Sequence, residues 1–157
     1  MQKGLERSGV KYWDVHVMKS LLPSEFLAIR DTHPLVDVRT PGEFTEGHIP
    51  GAVNIPIFSD EERAIIGTLY RQEGQVAAVD QGFELVGPRM KALAQAARAA
   101  APGGQLAVYC WRGGMRSNHM AWLFEAAGID CSLLAGGYKA YRGFAREYID
   151  QLQDLRV

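Results

Sequence analysis

Long apolar runs are missing from this 157-residue sequence, whose hydrophobic stretches last only a few residues. That is far short of the roughly 20 that cross a bilayer as a helix. The first residues, MQKGLERSGVKYWDVHV, hold no unbroken apolar core of the kind a secretory signal needs. Cysteine is scarce as well: Cys110 and Cys131 are too few for a disulfide framework, and the expected setting is a reducing cytoplasm. Excess charge of one sign is absent. Seventeen Lys and Arg against 18 Asp and Glu leave a net charge of −1, which excludes nucleic-acid affinity carried by bulk positive charge. There is no repeat and no low-complexity tract beyond an alanine-rich patch at 92–101. A hydrophobic content of 47% with 22% charged residues excludes a disordered chain. What remains has the length of one domain, on a scale of roughly 100–200 residues, so function must come from a local site.

Short apolar runs alternate with amphipathic segments. Leu35 to Val38, between Pro34 and Thr40-Pro41-Gly42, reads as a buried strand, and Ala52 to Ile55 as a second. Ser59 and Glu62 have capping-box spacing and open a predicted helix with Ile65, Ile66, Leu69 and Tyr70 on one face, ending near Gly74. Pro88 suits the first turn of another, carrying Met90, Leu93, Ala94 and Ala97, which Pro102-Gly103-Gly104 stops. Leu106 to Tyr109 is a continuous apolar run, the mark of a strand covered on both faces. After a glycine loop, Ser117 reads as the cap of a helix with Met120, Leu123, Phe124 and Ala127 inward and Gly128 at its end. Ser132 to Leu134 is a further strand, and Gly136-Gly137 leads into a last helix with Tyr138, Tyr141, Phe144 and Tyr148. Ser24 to Arg30 reads as a short helix and Val15 to Met18 as an edge strand. This alternation predicts an α/β fold with a parallel sheet and helices on both faces. The expected division is an N-terminal extension or edge strand over 1–20, one domain over 21–150 and a tail over 151–157.

Open α/β sheets bind ligands at the carboxyl ends of their strands. The segment there with most chemistry is Cys110-Trp111-Arg112-Gly113-Gly114-Met115-Arg116-Ser117. Gly113 and Gly114 permit backbone conformations that turn successive N–H groups inward, and the following helix start adds its positive dipole end. Arg116 supplies a permanent two-donor cation. A cysteine at the rim of such a cradle is favoured as thiolate, which makes Cys110 the candidate nucleophile. Trp111 reads as a packing residue or a rim contact and Arg112 as a substrate contact or a solvated side chain, while Cys131 reads as a buried structural thiol and His119 as a surface residue. Arg63, Arg71, Arg89, Arg112, Arg116, Lys139, Arg142 and Arg146 could compose a basic face, though solvated surface charge is the commoner arrangement. No metal site is expected.

Several segments resemble the rhodanese (sulfurtransferase) superfamily: Asp37-Val38-Arg39, Glu43-Phe44, Gly47 to Ala52, Asn54-Ile55-Pro56, the Cys110 loop and Gly136-Gly137-Tyr138. The resemblance spans about residues 20–150. It implies a rhodanese-like five-stranded parallel sheet flanked by helices, with Cys110 as the chalcogen-carrying nucleophile and Asp37, Arg39, Glu43 and His48 mainly as support. Glu61 to Ala64, Gly67 to Tyr70, Arg112 to Ser117 and Gly136 to Ala140 look like the N-terminal domain of the tRNA 2-selenouridine synthase family. That likeness implies selenium-for-sulfur exchange at a wobble 2-thiouridine, through a geranylated intermediate. It also implies selenophosphate as donor, a covalent persulfide or perselenide on Cys110 and no separate cofactor. The insert from Ser59 to Gly87 fits this family better than single-domain thiosulfate sulfurtransferases. The family carries a P-loop domain, and G-x-x-x-x-G-K-[ST] is not in these 157 residues, so a P-loop domain or partner chain is expected elsewhere, with tRNA as acceptor.

Two other readings stay open. One is a stand-alone thiosulfate sulfurtransferase or, from the Cys-x5-Arg spacing, a phosphatase or arsenate reductase-like enzyme of the same fold. Tyr109 stands where those phosphatases usually carry histidine. The second is a non-catalytic binding module, against which the intact Cys110 loop argues.

Overall fold

The computed structural model of the chain describes residues 18–154. Five strands form one parallel sheet: β1 (Lys19–Leu21), β2 (Leu35–Asp37), β3 (Val53–Asn54), β4 (Gln105–Tyr109) and β5 (Asp130–Leu134), in the order β1-β5-β4-β2-β3. Seven α-helices among the described residues connect and cover them: α1 (Pro23–Ala28), α2 (Pro41–Glu46), α3 (Asp60–Gln72), α4 (Gln75–Val86), α5 (Met90–Ala100), α6 (Met115–Ala126) and α7 (Gly137–Asp154). The fold is α/β with the five-stranded parallel sheet that the resemblance implies, and no described helix is long and apolar enough to cross a membrane.

The two faces of the sheet carry separate cores, because side chains of a strand alternate. Leu106, Val108 and Cys110 point into a cluster with Leu93 and Ala97 of α5 and Met120 and Phe124 of α6. Ala107 and Tyr109 point the other way, to Phe26 of α1 and, at its margin, Tyr138 and Tyr141 of α7. Leu106 to Tyr109 are wholly buried, as the continuous apolar run predicts. In the register Val36 pairs with Val108 and Asp37 with Tyr109, so the chain leaves β2 and β4 side by side at one edge.

The structure differs from expectation at several boundaries. The edge strand is Lys19–Leu21, after the predicted 15–18, of which 15–17 lie outside the described residues. The strand expected over 52–55 shortens to Val53–Asn54, and β5 begins at Asp130. Helix α7 runs to Asp154, into the segment expected as a tail. Ser117 does not cap α6: Gly114 occupies that position, and Ser117 lies buried in the first turn. Ser59 and Glu62 do form the predicted capping box, at 2.9 and 3.1 Å. On α3 it is Ile66 and Leu69 that are half-buried, whereas Ile65 and Tyr70 are exposed.

The segment beyond Gly74 holds a second helix, α4, that the sequence reading missed. Gly74, at φ 96°, makes the turn that folds α4 back on α3. Arg89 pins this hairpin to the domain by reaching both oxygens of Glu62, at 2.7 and 2.6 Å, and Ile57 O at 2.6 Å.

Candidate active site

Cys110 is the first residue beyond β4, and only 3% of it is exposed. Its Sγ lies 3.2 Å from Ser117 Oγ, whose hydroxyl donates to Gly114 O at 3.2 Å. A hydroxyl has one proton to give. While Gly114 O holds it, the thiol donates to Ser117; once the thiolate forms, the Ser117 proton can turn to the sulfur. The predicted cap is therefore a direct partner of the candidate nucleophile.

The loop is shaped by a second loop. Gly113 (φ 70°) and Gly137 (φ 62°) both sit in the left-handed region. A Cβ at Gly137 would stand 2.6 Å from Cys110 O and Gly113 N and 2.7 Å from Arg112 N, so two backbones touch where any side chain would intrude. Tyr138 N donates to Cys110 O at 2.9 Å and Lys139 N to Trp111 O at 3.0 Å. The first turn of α7 thus takes up the loop's carbonyls. Among the described residues, the N–H groups of Arg112 to Arg116 have no backbone acceptor, as is usual where a helix starts. Gly114 has a negative φ, −96°, and open space around its Cα, so only the first glycine of the pair sits in the left-handed region.

Arg116 is turned to a different task from the one its position suggests. Its guanidinium forks onto Glu43, at 2.6 and 3.2 Å, and Glu43 Oε2 also accepts from Thr40 N at 3.0 Å in the capping box of α2. Burial alone would raise the Glu43 carboxyl, but the hydrogen bonds and charge of Arg116 outweigh it and hold the group below the usual range. Asp37 and Arg39 are almost fully buried and paired at 2.6 Å. Arg39 also donates to Gly47 O at 2.7 Å and lies 4.1 Å over the Tyr138 ring, bracing α2 and α7 against the sheet. His48 is exposed and stacks on Phe44. Of the four expected support residues, Glu43 reaches the loop through Arg116, and Arg39 reaches it through the Trp111 ring, 6.0 Å from its guanidinium.

Cys110 opens on a cavity of about 870 Å³ between its loop, α6 and the α3–α4 hairpin. The walls are largely apolar, including Ile66 of α3, Val79 and Phe83 of α4 and Met120 of α6, with Trp111 and Met115 at the loop side. Arg63, Arg71, Arg112 and Arg116 are its cations, and exposed His119 also borders it. Arg89 is paired with Glu62, and Lys139, Arg142 and Arg146 stand exposed on α7, so the eight basic residues do not make one face. The apolar stripe Val79, Phe83, Val86 at helical spacing is the signal by which α4 could have been found. Cys131 is buried on β5, where burial pushes its thiol up to about 12.

Residues 22–143 match the Rhodanese-like domain family. The chain is 45% identical over 132 residues to a tRNA 2-selenouridine synthase of Nitrosomonas europaea, covering 83% of this chain and 34% of that protein. It is 50% identical over 123 residues to one of Bordetella bronchiseptica, covering 75% and 33%. The chain therefore spans about a third of the length of these curated relatives. Among solved structures, it superposes on the N-terminal domain of a putative ATP/GTP binding protein from Clostridium difficile 630 with a TM-score of 0.76 and 37% identity, over 81% of this chain and 98% of that one. With sheet order, loop position and sequence in agreement, the chain belongs to the rhodanese-like domain family.

Proposed function

We propose that the chain is a rhodanese-type sulfur or selenium transferase, and that it is the selenation unit of a synthase converting wobble 2-thiouridine of tRNA to 2-selenouridine. One observation carries this reading: a cysteine at the carboxyl end of the central strand, with a hydroxyl 3.2 Å from its sulfur, faces a cavity at a helix start. Its likeness to the synthases of Nitrosomonas europaea and Bordetella bronchiseptica supports the substrate class.

The Cys110 thiolate attacks the outer sulfur of thiosulfate. The bond from that sulfur to the sulfonate breaks, sulfite leaves with the electron pair, and Cys110 becomes a persulfide. With selenophosphate the selenium–phosphorus bond breaks instead, giving a perselenide and phosphite. Ser117 turns its proton to the attacking sulfur, and the N–H groups of Arg112 to Arg116 receive the charge of the chalcogen adduct. The acceptor is tRNA, and a P-loop domain or chain completes the unit. The phosphatase reading is less well supported, because the Arg116 fork that would grip a phosphate is occupied by Glu43.

Intact-mass measurement after separate incubation with thiosulfate, selenophosphate and an aryl phosphate tests the assignment. A gain of one sulfur or selenium is expected in the wild type and none in Cys110→Ser. Loading of Cys110→Ser, or a phosphoryl adduct as the sole product, would refute it.

A further inference from the structure

With Arg116 paired to Glu43, the cations left bordering the cavity are Arg112 of the loop and a pair from outside it. Helix α3 supplies that pair. Arg63, Gly67 and Arg71 lie four residues apart along one stripe of that helix. The Cα atoms of the two arginines are about 12 Å apart along the axis, yet their side chains converge. A Cβ at Gly67 would stand 3.0 Å from Arg63 Nη1 and 3.6 Å from Arg71 Nη1, so both guanidinium tips occupy the space that a side chain would fill. Both border the cavity that exposes Cys110. Neither has a carboxylate partner among the described residues, and Arg71 has only a contact of 3.4 Å with Thr68 Oγ1. Arg63 is half-buried; burial first, then the like charges of Arg116 and Arg71, lower its pKa, against the attraction of Glu43 and Cys110. Two cations gathered at one point, Arg63 half-buried and Arg71 exposed, neither in an ion pair, form a site that an anion completes.

We propose that Arg63 and Arg71, drawn together over Gly67, form the oxyanion site of the chalcogen donor, on the cavity wall contributed by α3. The site takes a tetrahedral XO₃ group, the sulfonate of thiosulfate or the phosphate of selenophosphate, while the terminal chalcogen faces Cys110. This rests on the transferase reading given above. It assigns donor recognition to the helical insert and leaves the Cys110 loop to hold the transferred atom.

The test compares alkylation of Cys110 in the 157-residue chain by anionic iodoacetate and by neutral iodoacetamide. In Arg63→Gln and Arg71→Gln the iodoacetate-to-iodoacetamide rate ratio should fall at least fivefold, whereas Arg146→Gln, with the same loss of net charge on α7, should leave it unchanged. Arg63→Lys should recover part of the ratio. Sulfate and phosphate, run in separate arms, should slow iodoacetate in the wild type and lose that effect in the glutamine variants; the stronger arm identifies the donor class. The thiosulfate or selenophosphate concentration for half-loading should rise about tenfold. Equal ratios in Arg63→Gln, Arg71→Gln and Arg146→Gln would overturn the site. Protection by a short single-stranded RNA in place of both inorganic anions would overturn it in favour of a backbone phosphate. Should no donor load wild-type Cys110, the transferase reading fails, while the alkylation ratio still decides the arginine site.

Discussion

The contact between the two loops can be measured by placing one methyl group at each of two glycines. Gly128 and Gly137 both have positive φ, at 89° and 62°, so alanine is conformationally strained at either. That strain is roughly 1–2 kcal/mol, offset in part by the roughly 0.4–1 kcal/mol that alanine gains by restricting the unfolded chain. Nothing lies within 4 Å of a Cβ at Gly128, so Gly128→Ala should cost only this difference, about 1 kcal/mol. At Gly137 the same methyl meets three backbone atoms at 2.6–2.7 Å. Those atoms cannot rotate away, so the loops must part, and the bonds from Tyr138 N and Lys139 N to the Cys110 loop are lost. At about 1 kcal/mol each, Gly137→Ala should cost about 3 kcal/mol in all. At about 3 °C per kcal/mol for a domain of this size, thermal unfolding should shift by about 3 °C for Gly128→Ala and about 9 °C for Gly137→Ala. Only the second should also slow Cys110 alkylation. Equal shifts in the two variants would refute the claim that backbone contact shapes the loop.

Removing the Ser117 hydroxyl takes away the proton that turns to the sulfur, so Ser117→Ala should slow persulfide formation by about tenfold, a loss of about 1.4 kcal/mol, with the melting temperature shifted by a few degrees; stopped-flow loading with thiosulfate reads this. Glu43→Gln breaks a partly exposed ion pair and should cost about 1 kcal/mol at pH 7. Because the folded Glu43 carboxyl lies below its ordinary 4.5, that stability is present above pH 4.5 and disappears as the pH falls through the lowered value, so urea midpoints of wild type and variant should converge as the pH is taken below 4.5. The Cys131 thiol runs the other way: raised from 9.0 to about 12, it stabilises the fold fully below pH 9 and loses that contribution as the pH climbs toward 12. Cys131→Ala should therefore flatten the alkaline limb of the stability curve, and Cys131 should resist alkylation at pH 8 under conditions that modify Cys110.

Legibility in the sequence followed the range of the forces involved. β4 and its loop could be read because their causes are local: an uninterrupted apolar run, then glycines, then a helix start. The capping box at Ser59 was equally local. Helix α4 escaped because it is amphipathic toward a cavity, not toward the main core: Phe83, on the cavity wall, is 67% exposed. A side chain that faces an open cavity leaves a weaker pattern than one sealed in a core. Ser117 was assigned a cap because serine before an apolar stripe usually is one. The cap stands three residues earlier, since Gly114 follows a left-handed Gly113 and can itself start the turn. The serine was thereby carried into the first turn and onto the sulfur.

Arg116 shows why spacing alone could not settle the chemistry. Cys-x5-Arg places a guanidinium beside a thiol in any rhodanese-like loop of this length, and the sequence is the same whether that guanidinium faces a ligand or the scaffold. The choice is made 73 residues away by Glu43. Glu43 is held in place by the Thr40 box, and α2 is braced by the buried pair of Asp37 and Arg39 reaching Gly47 O. Once the carboxylate is fixed there, the fork closes on it at 2.6 Å, and the charge is spent on joining α2 to α6. The loop then keeps Arg112 alone as an unpaired cation bordering the cavity, and another element adds to it. The α3–α4 hairpin is that element: the segment that looked like an insertion between strand and helix brings two uncompensated arginines to the open side of the loop.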